Sequence, residues 1–405
     1  MEILYLHQYF CPPGGSGNNR SYELGSYMKA CGHNVTFVTS TAYFPPHYYQ
    51  HLKPGEVGQL DIEGMRVFVI HIPYSHMMPF RQRIRAFLAF YRKLMQVCKT
   101  MRLSQPFDLV YASSTPITVG EAGRKLARRW RCPLVYECVD VWPDVPIGMK
   151  ILRNPLLIAW LHGKTNRIYR ESARIVALSE GMRDQILRHL VPARKVEVIH
   201  NGTHPGKFPY RLRPVKEKVE VIYTGTVGVA NGLSQLMEAA SILQGKGRED
   251  IRFTILGEGN ELEKVKTRAR DLNLQNLHFL ARVPKEEVSA LLEAADIGVV
   301  CFANFKVLEA NSANKFYDYL SSGLPVVNNY RGWQGAYLEK WNCGLACDQG
   351  DVAAFAANIE ALADAPELRQ EMGRNGRKLV EAHFDRRNLA ARLLRTFEAV
   401  LDEKP

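Results

Sequence analysis

A chain of 405 residues has room for two domains of ordinary size, and 46% hydrophobic with 23% charged residues is the composition of a soluble globular protein. No apolar run approaches the roughly 18 residues that a membrane-spanning helix needs, and eight cysteines without a C-x-x-C pair read as reduced core residues of a cytoplasmic protein. Charge is uneven: residues 1–200 carry 26 Lys and Arg against 14 Asp and Glu, whereas residues 201–405 carry 27 of each.

The chain opens with MEILYLHQYF, which reads as a strand and has neither the basic segment nor the small-residue cleavage site of a leader. The turn that follows, HQYFCPPGGSGNNR, places Gly14, Gly15, Ser16 and Gly17 where a backbone can approach a ligand. Asn18 or Asn19 can cap the next helix, and Arg20 offers a counter-charge. A structural tight turn fits the same residues, and their spacing does not match the dinucleotide pattern G-x-G-x-x-G.

Strands NVTFVTS and MRVFVIH come next. From Gly64 to Phe107 there are eight Lys or Arg and no acid. Residues 79–102, PFRQRIRAFLAFYRKLMQVCKTMR, predict a helix with Ile84, Phe87, Leu88, Tyr91, Leu94 and Met95 on one face. A basic, aromatic-rich amphipathic helix suits an anionic membrane surface, and the same spacing suits a surface helix with its apolar face in a core. No nucleic-acid recognition motif accompanies the basic patch.

FDLVYAS, CPLVYECV, ARIVALS and KVEVIHNG continue the strands, with helices between most of them, which predicts a parallel sheet of β-α-β units. In YECVDVWPDVPIG, Glu137 and Asp140 follow a strand and are placed to bind substrate or orient a hydroxyl; helix capping by Asp140 or Asp144 is the structural alternative. NGTHPGKFPYRLRPVKEK (201–218) contains Pro205, Pro209 and Pro214 and reads as a hinge. The alternation then restarts with KVEVIYTG, IRFTILG, NLHFLARV, DIGVVCF and LPVVNN. The predicted domains are 1–205 and 206–384. HFDRRNLAARLLRTFEAVL carries a helical pattern that suits either finishing the second domain or crossing back to the first; helix 385–405 is assigned to the first.

Ligands of such sheets sit beyond the carboxyl ends of the strands. There, VIYTGTVGVANGL places Gly225, Gly228 and Gly232 around Thr226 and Asn231, which suits a phosphate pocket. In CFANFKVLEANSANKFYDYLSSG, Phe316, Tyr319 and Leu320 form a core stripe, but Lys315 in a first turn opposes the helix dipole unless an anion is bound there. Ser312, Asn314, Lys315 and free backbone N–H groups converging at one point suit a diphosphate neutralised without metal. The chain has no D-x-D, H-E-x-x-H, G-x-S-x-G or P-loop motif.

The segments GHNVTFVTS, YECVDVWPD, KVEVIHNGTHPGKF, LGEGNELEKVK and SANKFYDYLSSGLPVV resemble the retaining glycosyltransferases of family 4, over nearly the whole length. The resemblance implies an α/β GT-B fold of two facing Rossmann-like, doubly wound domains. It is strongest to bacterial enzymes that add N-acetylhexosamines of the FucNAc type to lipid-linked precursors of lipopolysaccharide, capsule or exopolysaccharide. It implies a nucleotide-sugar donor, UDP by preference, and a lipid-diphosphate-linked saccharide acceptor. The reaction would be front-face, with no metal or other cofactor and no protein nucleophile.

The donor contacts it implies are Gly15, Ser16, Gly17, Thr226, Asn231, Gly257, Arg282, Ser312, Ala313, Asn314 and Asp318, with Glu309 and Lys315 catalytic and Arg20, Glu137 and Asp140 on the acceptor side. It also implies peripheral attachment, through residues 79–102, to the cytoplasmic face of an anionic membrane, and no nucleic-acid partner. Four positions depart from the family pattern. Ala310 stands where the first acid of its paired-glutamate motif belongs, one residue after Glu309. Thr226 and Asn231 replace the usual Arg and Lys, and Val139 replaces a frequent His. A nucleotide-sugar epimerase on the same fold and a basic membrane- or nucleic-acid-binding protein are the competing readings.

Overall fold

The computed structural model describes residues 1–15, 17–75, 78–101, 105–283 and 285–403. The chain divides into two compact units, Met1–His200 with Leu389–Pro405, and Asn201–Asn388.

The first unit is built on strands β1 (Glu2–Leu6), β2 (Asn34–Ser40), β3 (Val57–Ile62), β4 (Met65–Ile70), β5 (Leu109–Ser113), β6 (Leu134–Cys138), β7 (Arg174–Ala177) and β8 (Val196–Val198). They form one sheet in the order β3-β4-β2-β1-β5-β6-β7-β8. Only β3 runs antiparallel, joined to β4 by the Glu63–Gly64 turn. Every residue of β5 and β6 is buried, which is why these strands read as continuous apolar runs rather than alternating ones.

The helix Arg386–Asp402 belongs to this unit through most of its length. Leu389, Ala390, Leu393, Leu394, Phe397 and Val400 join the core of Ile3, Tyr5 and Tyr111, and the Phe397 ring lies 5.0 Å from that of Tyr111.

The predicted helix over 79–102 runs from Phe80 to Thr100, and Arg102 lies outside the described residues. Its apolar face is not free for a membrane. Ala86, Phe87, Phe90, Leu94, Val97 and Cys98 are buried, and the helix packs on β2, β4 and the helix Ile117–Trp130. The buried stripe is turned from the predicted one: Phe87 and Leu94 are common to both, Phe90 and Val97 are inside, and Leu88 is exposed.

In the second unit, β9 (Val219–Thr224), β10 (Ile251–Leu256), β11 (Leu277–Leu280), β12 (Ile297–Val300), β13 (Val326–Asn328) and β14 (Gly344–Ala346) form an all-parallel sheet in the order β11-β10-β9-β12-β13-β14. This is the doubly wound order, and the chain reverses its winding between β9 and β12.

Residues 201–218 do not form a free hinge. The Arg213 guanidinium donates to the carbonyls of Leu292, Ala295, Ser322 and Gly323, and Arg377 donates to those of Pro205, Phe208 and Ser321. Thr203 exchanges backbone hydrogen bonds with Phe384 and Arg386. That pairing holds residues 201–205 and 385–388 in the second unit, so the boundaries fall at 200/201 and 388/389.

The C-terminal helix is a structural part of the first unit's core. Phe397→Ala is expected to cost about 3–5 kcal/mol, read as a lower urea midpoint of the first unit.

Candidate functional site

The carboxyl end of β9 is shaped by glycines that side chains could not replace. A Cβ on Gly257, which follows β10, would lie 1.8 Å from the Gly225 carbonyl oxygen, and one on Gly259 would lie 2.1 Å from that of Val227. The two turns therefore run in backbone contact, joined by Gly225 N–H to the Leu256 carbonyl and Val227 N–H to the Glu258 carbonyl. Gly232, at φ +55°, brings the same loop against the backbone of Phe302 and Ala303 after β12. Thr226 is exposed on this loop and its carbonyl accepts from the Tyr223 hydroxyl at 2.7 Å, while Asn231 is half-buried.

The helix Asn314–Ser321 faces these turns. Phe316, Tyr317, Tyr319 and Leu320 anchor it in the core, and the Tyr319 hydroxyl accepts from the Thr224 N–H at 2.7 Å. Some helices of the chain begin at a side-chain cap, as at Asn154, Ser179 and Asp351, and others, such as Arg20–Ala30 and Ile117–Trp130, do not. This one begins at Ala313 with no side-chain cap; the Phe316 N–H bonds the Ala313 carbonyl, and no side chain caps the N–H groups of Asn314 and Lys315.

Lys315 projects from that first turn. Its Nζ lies 4.5 Å from the Tyr223 ring centroid and 3.3 Å from the Tyr223 hydroxyl, beside Gly225. Among the described residues it has no carboxylate partner, and burial pushes its pKa down to about 8. The buried Oδ1 of Asn314 also has no hydrogen-bond partner. Ser312 is held on both sides, its hydroxyl 2.7 Å from that of Tyr317 and its carbonyl accepting from Asn201 at 3.0 Å.

The remaining predicted donor residues have definite places. Asp318 is buried and accepts from the Thr203 hydroxyl at 2.7 Å. Glu309 lies on the turn Lys306–Ala310, bonded to Lys306 at 2.8 Å, with its backbone against Gly332. Arg282 is exposed just beyond β11. In the first unit, the space at Gly15 and Gly17 is filled by the chain itself, because a Cβ at either would strike Tyr43 or Cys11. Ser16 lies outside the described residues.

Arg20 and Glu137 are corrected from substrate contacts to core residues. Arg20 is buried and bonds Glu137 at 2.9 Å, and it also donates to the His200 carbonyl at 2.7 Å. Burial alone would raise the Glu137 carboxyl. The Arg20 guanidinium and then the Ser113 hydroxyl outweigh it and hold the carboxyl below its usual range. The neighbouring His7 is kept neutral, its pKa pushed down to about 4 by burial. Asp140 remains half-buried; burial raises its pKa, and the Thr115 hydroxyl donates to it at 2.9 Å.

Sequence reading missed Tyr223, Thr203 and Asn201, the partners of Lys315, Asp318 and Ser312. Each lies 92 to 115 residues away along the chain, so no local spacing signals it. It also missed Asp144, His162 and His189, whose side-chain ligand atoms lie within 4.8 Å of one another. There the His189 ring bridges Asp144 at 2.7 Å and Asn166 at 2.8 Å.

An ammonium without a carboxylate partner stands at the mouth of an uncapped helix, over the point where an all-parallel sheet reverses its winding, an arrangement that suits an anion in a Rossmann-type half. Residues 15–202 match the glycosyl transferase 4-like domain and residues 208–379 match the glycosyl transferases group 1 domain. The chain belongs to this family of glycosyltransferases, with the GT-B fold of two parallel-sheet α/β domains.

Among curated proteins it is similar to a glycogen synthase of Mycobacterium tuberculosis, 26% identical over 57% of this chain and 55% of that one. It is also similar to the D-rhamnosyltransferase WbpZ of Pseudomonas aeruginosa, 28% identical over 55% and 56%. The chain thus spans little more than half the length of these relatives. Solved structures with the same fold include Anabaena HepE in complex with UDP-glucose, at TM-score 0.70 and 16% identity over 98% of this chain and 100% of that one. WaaG, a glycosyltransferase involved in lipopolysaccharide biosynthesis, has TM-score 0.68 and 16% identity over 97% and 98%.

The buried pair makes a direct prediction. Glu137→Gln leaves the Arg20 charge uncompensated and is expected to destabilise the protein by about 3–5 kcal/mol, seen as a lower thermal midpoint. Retention of wild-type stability would return Glu137 to the list of substrate contacts.

Proposed function

We propose that this glycosyltransferase retains anomeric configuration and uses a UDP-sugar, an N-acetylhexosamine donor, to extend a lipid-diphosphate-linked saccharide in bacterial surface-polysaccharide assembly. The observation that carries the donor side is Lys315, a half-buried ammonium with an aromatic ring and a hydroxyl but no carboxylate as partner. A diphosphate supplies the missing negative charge and accepts from the uncapped N–H groups of the helix Asn314–Ser321. Anabaena HepE, of the same fold, was solved with UDP and with UDP-glucose, and WaaG, a glycosyltransferase involved in lipopolysaccharide biosynthesis, lends weight to a polysaccharide setting.

In this reading Lys315 and the helix mouth stabilise the charge that develops on the departing diphosphate. They replace a metal ion in that role, so none is required. The leaving diphosphate accepts the proton of the acceptor hydroxyl on the face it departs from, and no protein nucleophile takes part. Asp318, its orientation fixed by Thr203, binds the ribose, and Glu309 lies toward the donor sugar. Asp140 is the acceptor-side acid that the structure leaves half-buried.

The ammonium makes the reading pH-dependent. Lys315 of the free protein carries its proton below about 8 and loses it above. Donor capture, measured as kcat/KM, is therefore expected to fall as pH rises through about 8, while kcat changes less because bound diphosphate holds the proton on the amine. Lys315→Met is expected to abolish this pH dependence. Lys315→Ala is expected to lower kcat on the order of 10²–10³-fold, as loss of one preorganised donor does; full turnover by that variant would exclude the assignment.

A thermal-shift panel of UDP, GDP, ADP and their sugar conjugates in EDTA tests the donor directly. UDP at 100 times its Kd is expected to stabilise the protein by about 2.7 kcal/mol. No shift with any of them would overturn the donor site, and a shift only with added magnesium would overturn the metal-free mechanism.

A further inference from the structure

The helix Pro155–Glu171 begins in a way its own fold does not explain. Leu156 is 81% exposed, Leu157 43% and Trp160 59%, and Ile151, just before the helix, is 56% exposed. A fifth large apolar side chain, Leu190, is 94% exposed. Leu190 and Leu156 are the two most exposed large hydrophobic residues among those described.

Leu190 is not a loose tip. The preceding residue, His189, bonds Asn166 of the same helix at 2.8 Å and Asp144 at 2.7 Å, which fixes the turn beside the helix. Leu190 also adopts φ +58°, a backbone region that favours glycine or asparagine. A leucine there gains nothing from the core and loses nothing to water only when another apolar phase covers it. Exposed apolar groups gathered in this way mark an interaction surface.

The charge around the group indicates what covers it. Between Asp144 and Glu171 the chain carries Lys150, Arg153, Lys164, Arg167 and Arg170 and no acidic residue. Lys150, Arg153, Arg167 and Arg170 are exposed, and the Lys164 ammonium lies 5.6 Å from the Trp160 ring centroid. Leucines and a tryptophan flanked along the chain by Lys and Arg match the boundary of a bilayer, where apolar side chains enter the acyl region, tryptophan sits at headgroup level and basic groups meet anionic headgroups. The acids nearby include Asp144, bonded to His189, Glu171, bonded to Arg124, and Glu121, bonded to Arg124 and 3.9 Å from the Lys164 ammonium.

We propose that this face, formed by Ile151, Leu156, Leu157, Trp160 and Leu190, rests on a bilayer containing anionic phospholipid. It takes the place of the helix Phe80–Thr100, whose apolar stripe is spent in the core. The proposal deepens the reading of a lipid-linked acceptor, but it stands on the exposed side chains and needs no donor for its test.

The full chain is floated with vesicles of phosphatidylcholine alone and of phosphatidylcholine mixed with phosphatidylglycerol. The wild type is expected to float with the mixed vesicles, and its tryptophan emission to shift to the blue by an amount that Trp160→Phe largely removes. Combined Leu156→Ser, Trp160→Ser and Leu190→Ser is expected to reduce partitioning at least ~10-fold. Combined Lys150→Glu, Arg153→Glu and Arg167→Glu is expected to abolish the preference for the mixed vesicles.

A thermal midpoint of the serine variant unchanged from wild type, measured without nucleotide, shows that the fold is intact. Absence of a UDP shift in the wild type with flotation retained would count against the donor reading alone. A wild type that stays out of the floating fraction, or a serine variant that floats equally well, overturns the membrane face. So does a serine variant that merely turns a dimer into a monomer in sedimentation, which would assign the surface to a second copy of the chain.

Discussion

The second unit is organised around an ammonium group that its own fold does not neutralise. Lys315 sits at the mouth of a helix, where the dipole opposes it, and its Nζ is drawn onto the Tyr223 ring and hydroxyl rather than onto an acid. Holding it there constrains much of the sheet's carboxyl edge. A Cβ on Gly225, at φ +123°, would crowd the lysine stem at 3.2 Å, and Gly257 must lack one because the Gly225 carbonyl occupies its Cβ position. Tyr319 locks the helix to β9 through Thr224, and Asn201 and Thr203 fix the residues on either side of Lys315. These contacts keep a charge short of a partner in one place, which is what an anion site needs.

The first unit shows the opposite treatment of similar residue types. Arg20 and Glu137 are as buried as any apolar core residue, yet each is satisfied by the other and by neighbouring carbonyl and hydroxyl groups. Their attraction overcomes the desolvation of both charges, and the pair braces β6 and the helix Arg20–Ala30 against the end of the unit at His200. A charged residue after a strand therefore reports on function only once its partners are known. Lys315 and Arg20 look alike in sequence, each at the start of a helix after a small-residue run. Only their surroundings separate them.

Apolar periodicity has the same ambiguity. The helix Phe80–Thr100 has the stronger amphipathic pattern, and its Phe90, Leu94 and Val97 are consumed by packing on β2, β4 and a neighbouring helix. The run Leu156–Leu161 has no polar side chain and is largely exposed. A pattern states that a side chain prefers an apolar phase. It does not say whether the protein or a lipid supplies that phase.

The alternation of strands and helices, the parallel sheets and the helix that begins near Asn314 were all legible in the sequence, because they rest on short-range rules: apolar strand runs, 3.6-residue periodicity and turn residues. The proposed anion site was legible too, since a lysine in a first helical turn contradicts a local rule and so advertises a ligand. The tertiary structure alone decided which acids were free and which were paired, where residues 201–205 and 385–388 belong, and which apolar face is covered. Those outcomes depend on contacts such as Thr203 with Asp318 and Phe397 with Tyr111, made between residues one hundred or more positions apart. Neither propensity nor spacing carries information over that distance; the folded chain does.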